Sequence, residues 1–457
     1  MGAGYVGGPT MAVIAHNCPN LQVTVVDVNN DKISRWNDPD ISKIPVFEPG
    51  LENIVKETRF KNLHFSTNFE EGIRKADIIF ISVNTPTKEK GVGAGHASDL
   101  RFVESSARLV GKYSQGHTIV VEKSTVPIRT AATIMSILDS IKDSQDKKTF
   151  DVLSNPEFLA EGTAINDLQC PDRVLIGGNN SHAIDALERI YLNWVDKEKI
   201  IRTNLWSSEL SKLSANAFLA QRVSSINATA ELCEVTGADI NEVAYAIGKD
   251  RRIGSNFLKA GPGFGGSCFT KDILNLVYLC EYFGLIEASK YWKQVITINN
   301  HQKNRISKVI ADKLFGTLTE KKIAVLGFSF KSNTNDTRQS PAIRICKNLL
   351  EEGAYLAIHD PKVSKSQIAI DLGCQEINDQ NKNNDFNKWE FFEKIEDAVH
   401  SADAVVILCD WECYKKLDWR DISNIMRSPS WLFDTRDVVN IKSLKDLDLN
   451  LWKLGIG

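Results

Sequence analysis

No stretch of this sequence approaches the ~20 consecutive apolar residues that a membrane helix requires, so insertion into a bilayer is not expected. A net basic field is also lacking. The 55 lysines and arginines are outnumbered by 58 aspartates and glutamates, leaving a formal charge of −3. Nucleic acid and acidic membranes are therefore poor partners, and any anionic ligand must be held by local basic residues. There is no dense cysteine framework either, because nine cysteines, an odd number, are scattered from Cys18 to Cys413. That distribution reads as reduced thiols in the cytoplasm rather than disulfides. The closest pair, Cys409 and Cys413, has no second pair and no flanking histidine, so no metal site is expected. No secretory leader precedes the first motif, and Val6 stands where a myristoylation signal wants serine or threonine.

With 42% hydrophobic and 25% charged residues, the 457-residue chain has the composition of a soluble globular protein of two or three domains. Its first part alternates short β-branched runs with helical spacers: LQVTVVDVNN (21–30), ADIIFISVNTPT (76–87), HTIVVEKST (117–125), FDVLSNPEF (150–158) and DRVLIGG (172–178). Continuous apolar strands separated by helices are what a parallel sheet covered on both faces requires. From Trp206 helical spacing takes over, with Gly237 as a stop, and it continues through Lys313. At Lys321 the alternation restarts. One strand ends in Asp27 in the first part and another in Asp360 here, and Ala-Asp opens a strand in both, at Asp77 and Asp403. The expected fold class is α/β: two Rossmann-like doubly wound parallel-sheet domains, 1–205 and 317–457, joined by a helical central domain, 206–316. The helical middle is the candidate for pairing subunits. The polar stretch 376–389 reads as a surface loop.

Gly2, Gly4 and Gly7 form G-x-G-x-x-G, a weak signal by itself. Here a strand ends in Asp27, 20 residues after Gly7, the spacing at which a carboxylate meets a ribose 2′-hydroxyl. The same carboxylate repels a 2′-phosphate and no arginine follows it, so NAD is expected over NADP. The fingerprint ought to follow a strand, yet this sequence supplies no residues for one before Met1. That strand is normally central, so its neighbours' backbone groups are expected to lack partners.

In FLKAGPGFGGSCFTKD (257–272) a glycine-dense loop delivers Cys268 to the start of a helix. Unpaired N–H groups and the dipole there favour a thiolate and make a cysteine nucleophilic. Asp272 follows four residues later on the same face. Lys212 and Asn216 share another helical face, set among Leu210, Leu213, Ala215 and Ala217, and offer an ammonium and an amide to a developing oxyanion. SNPEFLAEG is expected to open a helix with Pro156 in its first turn, placing Glu157 and Glu161 on one face. Those carboxylates read equally well as acid/base groups or as a charged first turn. Thr125 stands at a strand's end, where ligands of parallel sheets bind.

Taken in order, GAGYVGG, VVDVN, FISVNTPT, EKSTVP, SNPEFLAEGTA, PDRVLIGG, SSELSKLSANAFLAQRVSSIN, FGGSCFTKD, GFSFKSNTNDTR and FDTR resemble the UDP-glucose/GDP-mannose dehydrogenase family from Gly2 to about Arg436. The resemblance implies a four-electron oxidation of the C6 alcohol of a nucleotide sugar, with NAD as oxidant and an aldehyde captured by Cys268. It implies UDP-glucose as substrate and UDP-glucuronate as product, GDP-mannose or an N-acetylated UDP-sugar being the alternatives. A two-electron hydroxy-acid dehydrogenase and a non-catalytic relative are the more distant ones. By the same resemblance Cys268 is the nucleophile, Lys212 and Asn216 stabilise the oxyanion, and Asp272, Thr125 and Glu157 handle water and protons. NAD would meet Gly2, Gly4, Tyr5, Val6, Gly7, Asp27, Lys32, Val83, Asn84, Thr85, Pro86, Thr87, Ser124, Thr125, Glu161, Lys271 and Arg338. The sugar nucleotide would meet Glu157, Phe158, Leu159, Glu161, Lys212, Asn216, Arg252, Lys259, Phe264, Gly265, Phe330, Lys331 and Arg436. A homo-oligomer, a dimer or a hexamer of dimers, is implied as well. Ser329, Asn335 and Asp437 depart from the family's usual residues.

Overall fold

The computed structural model describes residues 1–141, 148–377 and 388–457, so most of the expected loop at 376–389 lies outside the described residues. The chain divides into two compact units, Met1–Ala215 with Leu274–Ser289, and Asn216–Ile273 with Lys290–Gly457. It passes from one to the other within three helices, Leu205–Thr236, Phe269–Tyr282 and Ile286–Lys313. Gly237 ends the first of these as expected, at φ +80 with its N–H on the Cys233 carbonyl.

In the first unit the strands are β1 (Val23–Val26), β2 (Leu63–Ser66), β3 (Ile78–Ile81), β4 (His117–Glu122), β5 (Thr149–Ser154), β6 (Val174–Gly177) and β7 (Ile200–Thr203). The second unit holds β8 (Lys322–Leu326), β9 (Tyr355–His359), β10 (Trp389–Phe391), β11 (Ala404–Ile407), β12 (Ser430–Asp434) and β13 (Leu449–Lys453). These six pair in the order β10-β9-β8-β11-β12-β13, all parallel. Numbered within the sheet the order is 3-2-1-4-5-6, that of a doubly wound dinucleotide fold. The strands are short runs of Ile, Val, Leu and Ala buried on both faces, as helices on either side demand.

The first unit follows the same plan with its centre missing. Strands β1 and β2 form a parallel pair, and β3-β4-β5-β6-β7 form a separate sheet in which only the single β5–β6 pairing is antiparallel. Between them stand only Met1 and Gly2. The Gly2 N–H donates to the Val26 carbonyl at 2.8 Å, and the Met1 carbonyl accepts from Ser82 N at 2.8 Å. These two residues make one rung between β1 and β3, at the place that β8 holds in the second unit. Two apolar clusters line this unit's sheets, one around Trp36, Leu51 and Leu187, the other around Ile81, Val120 and Ile134.

The repeat legible in the sequence is also a repeat of hydrogen bonds. Asp27 Oδ2 accepts from Ala3 N at 2.8 Å just after β1, and Asp360 Oδ2 accepts from Phe328 N at 2.7 Å just after β9. In each half the carboxylate ending the second strand ties down the turn that follows the first. Strands β2, β7, β10 and β13 were not anticipated from the sequence. They are short or carry charged residues, so no continuous apolar run marks them.

Candidate active site

In the first unit the glycine turn fits the phosphates of a dinucleotide. A Cβ on Gly2, whose φ is +99, would lie 2.3 Å from the Ser82 carbonyl oxygen, so only glycine is tolerated there. A Cβ on Gly4 would meet nothing within 4 Å, so the backbone of the turn is open to an approaching ligand. The helix Gly7–Asn17 that follows has no side-chain cap, leaving its N-terminal dipole available to an anion. Asp27 is 8% exposed at the end of β1, and Lys32 donates to its Oδ2 at 3.1 Å. Burial opposes the charge on Asp27, but the N–H groups of Ala3 and Asn29 and the Lys32 ammonium hold it below the usual carboxylate range. The residues after β3 and β4 are tied together: Ser124 donates to the Val83 carbonyl and Thr85 to the Thr125 carbonyl, both at 2.8 Å. The expected cofactor residues of this unit thus gather at the carboxyl ends of its strands.

The helix expected to open in SNPEFLAEG is absent. Residues 155–160 are irregular and the helix runs Ala164–Gln169. The reason lies in Glu157, whose Oε1 takes the N–H groups of Phe158 and Leu159 at 2.8 and 3.1 Å, so Glu157 and Glu161 do not share a helical face. The later helix is started by Glu48, which accepts from Gly162 N and Ala164 N at 2.8 and 3.2 Å. Beside Phe158 stand Arg173, 4.0 Å from the ring centroid, and Lys212, 5.1 Å from it. Lys212 is 6% exposed, so it is no solvated surface lysine.

In the second unit Cys268 is exposed directly before the helix Phe269–Tyr282, and its carbonyl accepts from Asp272 N at 2.9 Å. Asp272 is fully buried, where Asn216 Nδ2 donates to its Oδ2 at 2.6 Å and Lys271 lies 3.0 Å from its Oδ1. Carboxylate, amide and ammonium therefore form a connected group one helical turn after Cys268.

The loop 261–266 is pinned on every side. Asn227 accepts from Gly261 N, Gln302 donates to the Gly261 carbonyl, Asn299 both accepts from and donates to the Phe264 backbone, and Gly266 N donates to the Arg338 carbonyl. Phe330 packs so tightly on it that a Cβ on Gly265 would lie 2.9 Å from Phe330 Cβ and 2.7 Å from the Gln339 carbonyl oxygen. Arg436 reaches the carbonyls of Leu408 and Phe330 at 2.9 and 3.3 Å, and Lys259 lies 3.4 Å from Asp410. Burial would raise the Asp410 carboxyl, but Arg436 and Lys259 hold it low. Lys331 stacks on the Phe330 ring. Arg338 is half exposed and paired with Asp336, and the departure Asp437 pairs with Lys453. Arg252 does not join this group among the described residues: its side chain is 86% exposed and paired with Asp250. Replacing Gly265 by alanine forces the loop and the Phe330 segment apart. The expected result is a melting temperature lowered by about 2 °C or more, read by thermal unfolding against the unaltered protein.

Sequence reasoning missed Lys123, Asn155 and Tyr191 in the first unit and Asn227, Asn299 and Gln302 in the second. Lys123 had a visible signal, a lysine directly after a buried β-branched run. The others are single polar residues on helices or loops, with nothing in their spacing to mark them.

A glycine-turn dinucleotide site at the strand ends of the first unit is that of an NAD-dependent dehydrogenase. Comparison with known proteins agrees. The chain matches the UDP-glucose/GDP-mannose dehydrogenase family models for the NAD binding domain at 1–195, the central domain at 206–301 and the UDP binding domain at 324–441. It is 53% identical over 445 residues to a UDP-glucose 6-dehydrogenase of Bos taurus, covering 96% of this chain and 88% of that one. It is 50% identical over 470 residues to UDP-glucose 6-dehydrogenase 4 of Arabidopsis thaliana, covering 100% and 96%. Among solved structures, a UDP-glucose dehydrogenase from Pyrobaculum islandicum superposes with a TM-score of 0.85 at 29% identity, covering 100% of this chain and 96% of that one. The chain belongs to the UDP-glucose/GDP-mannose dehydrogenase family, and its cofactor is NAD. Among the described residues no helix is long and apolar enough to cross a membrane.

Proposed function

We propose that the chain oxidises the C6 primary alcohol of UDP-glucose to the carboxylate of UDP-glucuronate. NAD, when bound, supplies the hydride acceptor for each of the two oxidations. Gly2 to Gly7 and Asp27 would hold its phosphates and ribose, with the strand-end residues 83–87, Ser124 and Thr125 against the rest. The alcohol loses a hydride and a proton to become an aldehyde. Cys268 sulfur adds to the aldehyde carbon, and Lys212 and Asn216 donate to the oxygen that gains charge. The thiohemiacetal loses a second hydride and a proton to leave a thioester. Water then adds, the carbon–sulfur bond breaks and Cys268 leaves as thiolate. Asp272 holds Asn216 in place, and Thr125 and Glu157 serve the water and protons. Lys259, Arg436 and Lys331 would meet the diphosphate, with Phe330 and the 261–266 loop forming the wall beside it.

The observation that supports this reading best is the exposed Cys268 thiol set before a helix beside the buried Asp272–Asn216 pair. A covalent cysteine has no purpose in a two-electron alcohol oxidation, whereas it holds the aldehyde for a second hydride loss. Supplying UDP-glucose with excess NAD and counting NADH per sugar consumed tests it. Two NADH and an acidic product are expected, and one NADH would overturn the four-electron mechanism. A faster turnover of GDP-mannose or an N-acetylated UDP-sugar would move the substrate assignment.

The same reading assigns 1–205 to NAD, 317–457 to the UDP-sugar and 206–316 to subunit pairing. The helix Leu205–Thr236 carries Phe218, Leu232 and Val235 more than half exposed, an apolar face suited to a second copy. The assembly is a homo-oligomer, a dimer or a hexamer of dimers, in the cytoplasm. Light scattering should give a mass at least twice that of the chain, falling when Leu232 is replaced by aspartate.

A further inference from the structure

A charged cluster buried in the first unit joins Glu157 to Lys123, which the catalytic roles above leave unused. Lys123 follows β4 directly and is 3% exposed. Its ammonium has three N–H groups and three acceptors, Glu157 Oε2 at 2.9 Å, Asn155 Oδ1 at 3.1 Å and the Tyr191 hydroxyl at 3.4 Å. Tyr191 in turn donates to Asn155 Oδ1 at 2.6 Å, and Asn155 donates to the Leu175 carbonyl at 2.8 Å. The Lys123 ammonium is thus committed inside the protein.

Glu157 is 8% exposed and equally committed. Besides the two N–H groups on Oε1, its Oε2 takes Lys123 and, at 3.5 Å, the Thr10 hydroxyl. The groups acting on it come from four directions: Thr10 on the helix Gly7–Asn17, Lys123 after β4, Tyr191 on the helix Ser181–Tyr191, and Lys212 on the helix Leu205–Thr236. Burial alone would raise the Glu157 carboxyl. Lys123 first and Lys212 second reverse that and hold it below the usual range. Burial would lower the Lys123 ammonium, but Glu157 and Tyr191 together drive it upward.

We propose that Lys123 is a positioning residue for the oxidation, locking Glu157 into one orientation as a charged, acceptor-only carboxylate. The proposal rests on the reading that Glu157 serves the sugar nucleotide and its water. With Lys123 absent, the buried carboxyl loses its largest charged partner and takes up a proton more readily, turning an acceptor into a donor in the turn that meets the substrate.

Lys123→Met keeps the length and removes the charge. The expected result is an acid limb of the kcat–pH profile raised by about one unit or more, with kcat at neutral pH falling about tenfold or more and KM changing less. In Lys123→Met/Glu157→Gln the losses are not additive, and the double variant matches Glu157→Gln alone. An unmoved acid limb with additive losses would overturn the proposal, because a merely structural lysine behaves that way. Should Lys123→Met not fold, the unaltered protein and Glu157→Gln decide through their melting temperatures from pH 3 to 7. A carboxylate held low stabilises above the ordinary glutamate range and loses that stabilisation as pH falls, so the advantage over Glu157→Gln shrinks toward low pH. An advantage growing toward low pH overturns the proposal. This comparison needs no turnover, so a chain inactive on UDP-glucose but showing the shrinking advantage would sink the functional reading and leave the Lys123–Glu157 lock standing.

Discussion

Replacing Cys268 by serine is expected to abolish formation of the uronate, lowering kcat for acid production by about a thousandfold or more. A serine hydroxyl is a far weaker nucleophile toward an aldehyde than a cysteine sulfur. The first hydride loss needs no sulfur, so the variant can release at most one NADH per sugar, with the aldehyde trapped by an added amine or hydrazine. The thiol is exposed and packs on little, so the melting temperature should stay within a degree or so of the unaltered protein. That separates chemical loss from misfolding. Full acid formation by the serine variant would show that the four-electron oxidation runs without a covalent cysteine and leave the glycine loop as a binding element only.

The second large effect concerns the centre of the first sheet. In a polypeptide beginning at Met1, the charged amino group is buried and donates to the Phe80 carbonyl at 2.7 Å. Burial pushes it from 8.0 down to about 5, against partial support from Asp27. Between those values the unfolded chain binds more protons than the folded one, so stability rises with pH from about 5 to 8. Below that window both forms are charged and the full penalty stands; above it neither is charged and the penalty vanishes. Three pH units correspond to about 4 kcal/mol at most, a sizeable fraction of a domain's stability. Chemical denaturation at steps from pH 5 to 8 should show the rise. A version extended before Met1 by about five β-branched residues should show none of that slope, because a peptide N–H replaces the amine. It should also gain stability and NAD-dependent thermal protection, since an inserted strand gives the inner edges of β1 and β3 partners. An extended protein with the same slope and the same melting temperature would refute this account.

What the sequence by itself determined is what local pattern can carry. Alternating apolar runs gave both α/β halves because a buried parallel strand must be apolar on both faces. Gly2, Gly4, Gly7 and Asp27 marked the cofactor turn because only glycine fits under the Ser82 carbonyl and only a carboxylate at the next strand end reaches back to it. Gly237 ended a helix and Cys268 began one through the chemistry of helix ends, which lies within a few neighbouring residues. Tertiary structure alone decided the rest. It denied residues 155–160 a helix, because Glu157 spends its oxygens on Phe158, Leu159 and Lys123. It buried Lys212 and Asn216, which spacing could only place on one face. It joined Lys123 to Tyr191 across 68 residues and Asp272 to Asn216 across 56. Such pairs leave no periodic trace, because a hydrogen bond between distant residues is set by how elements pack and not by the residues beside each partner.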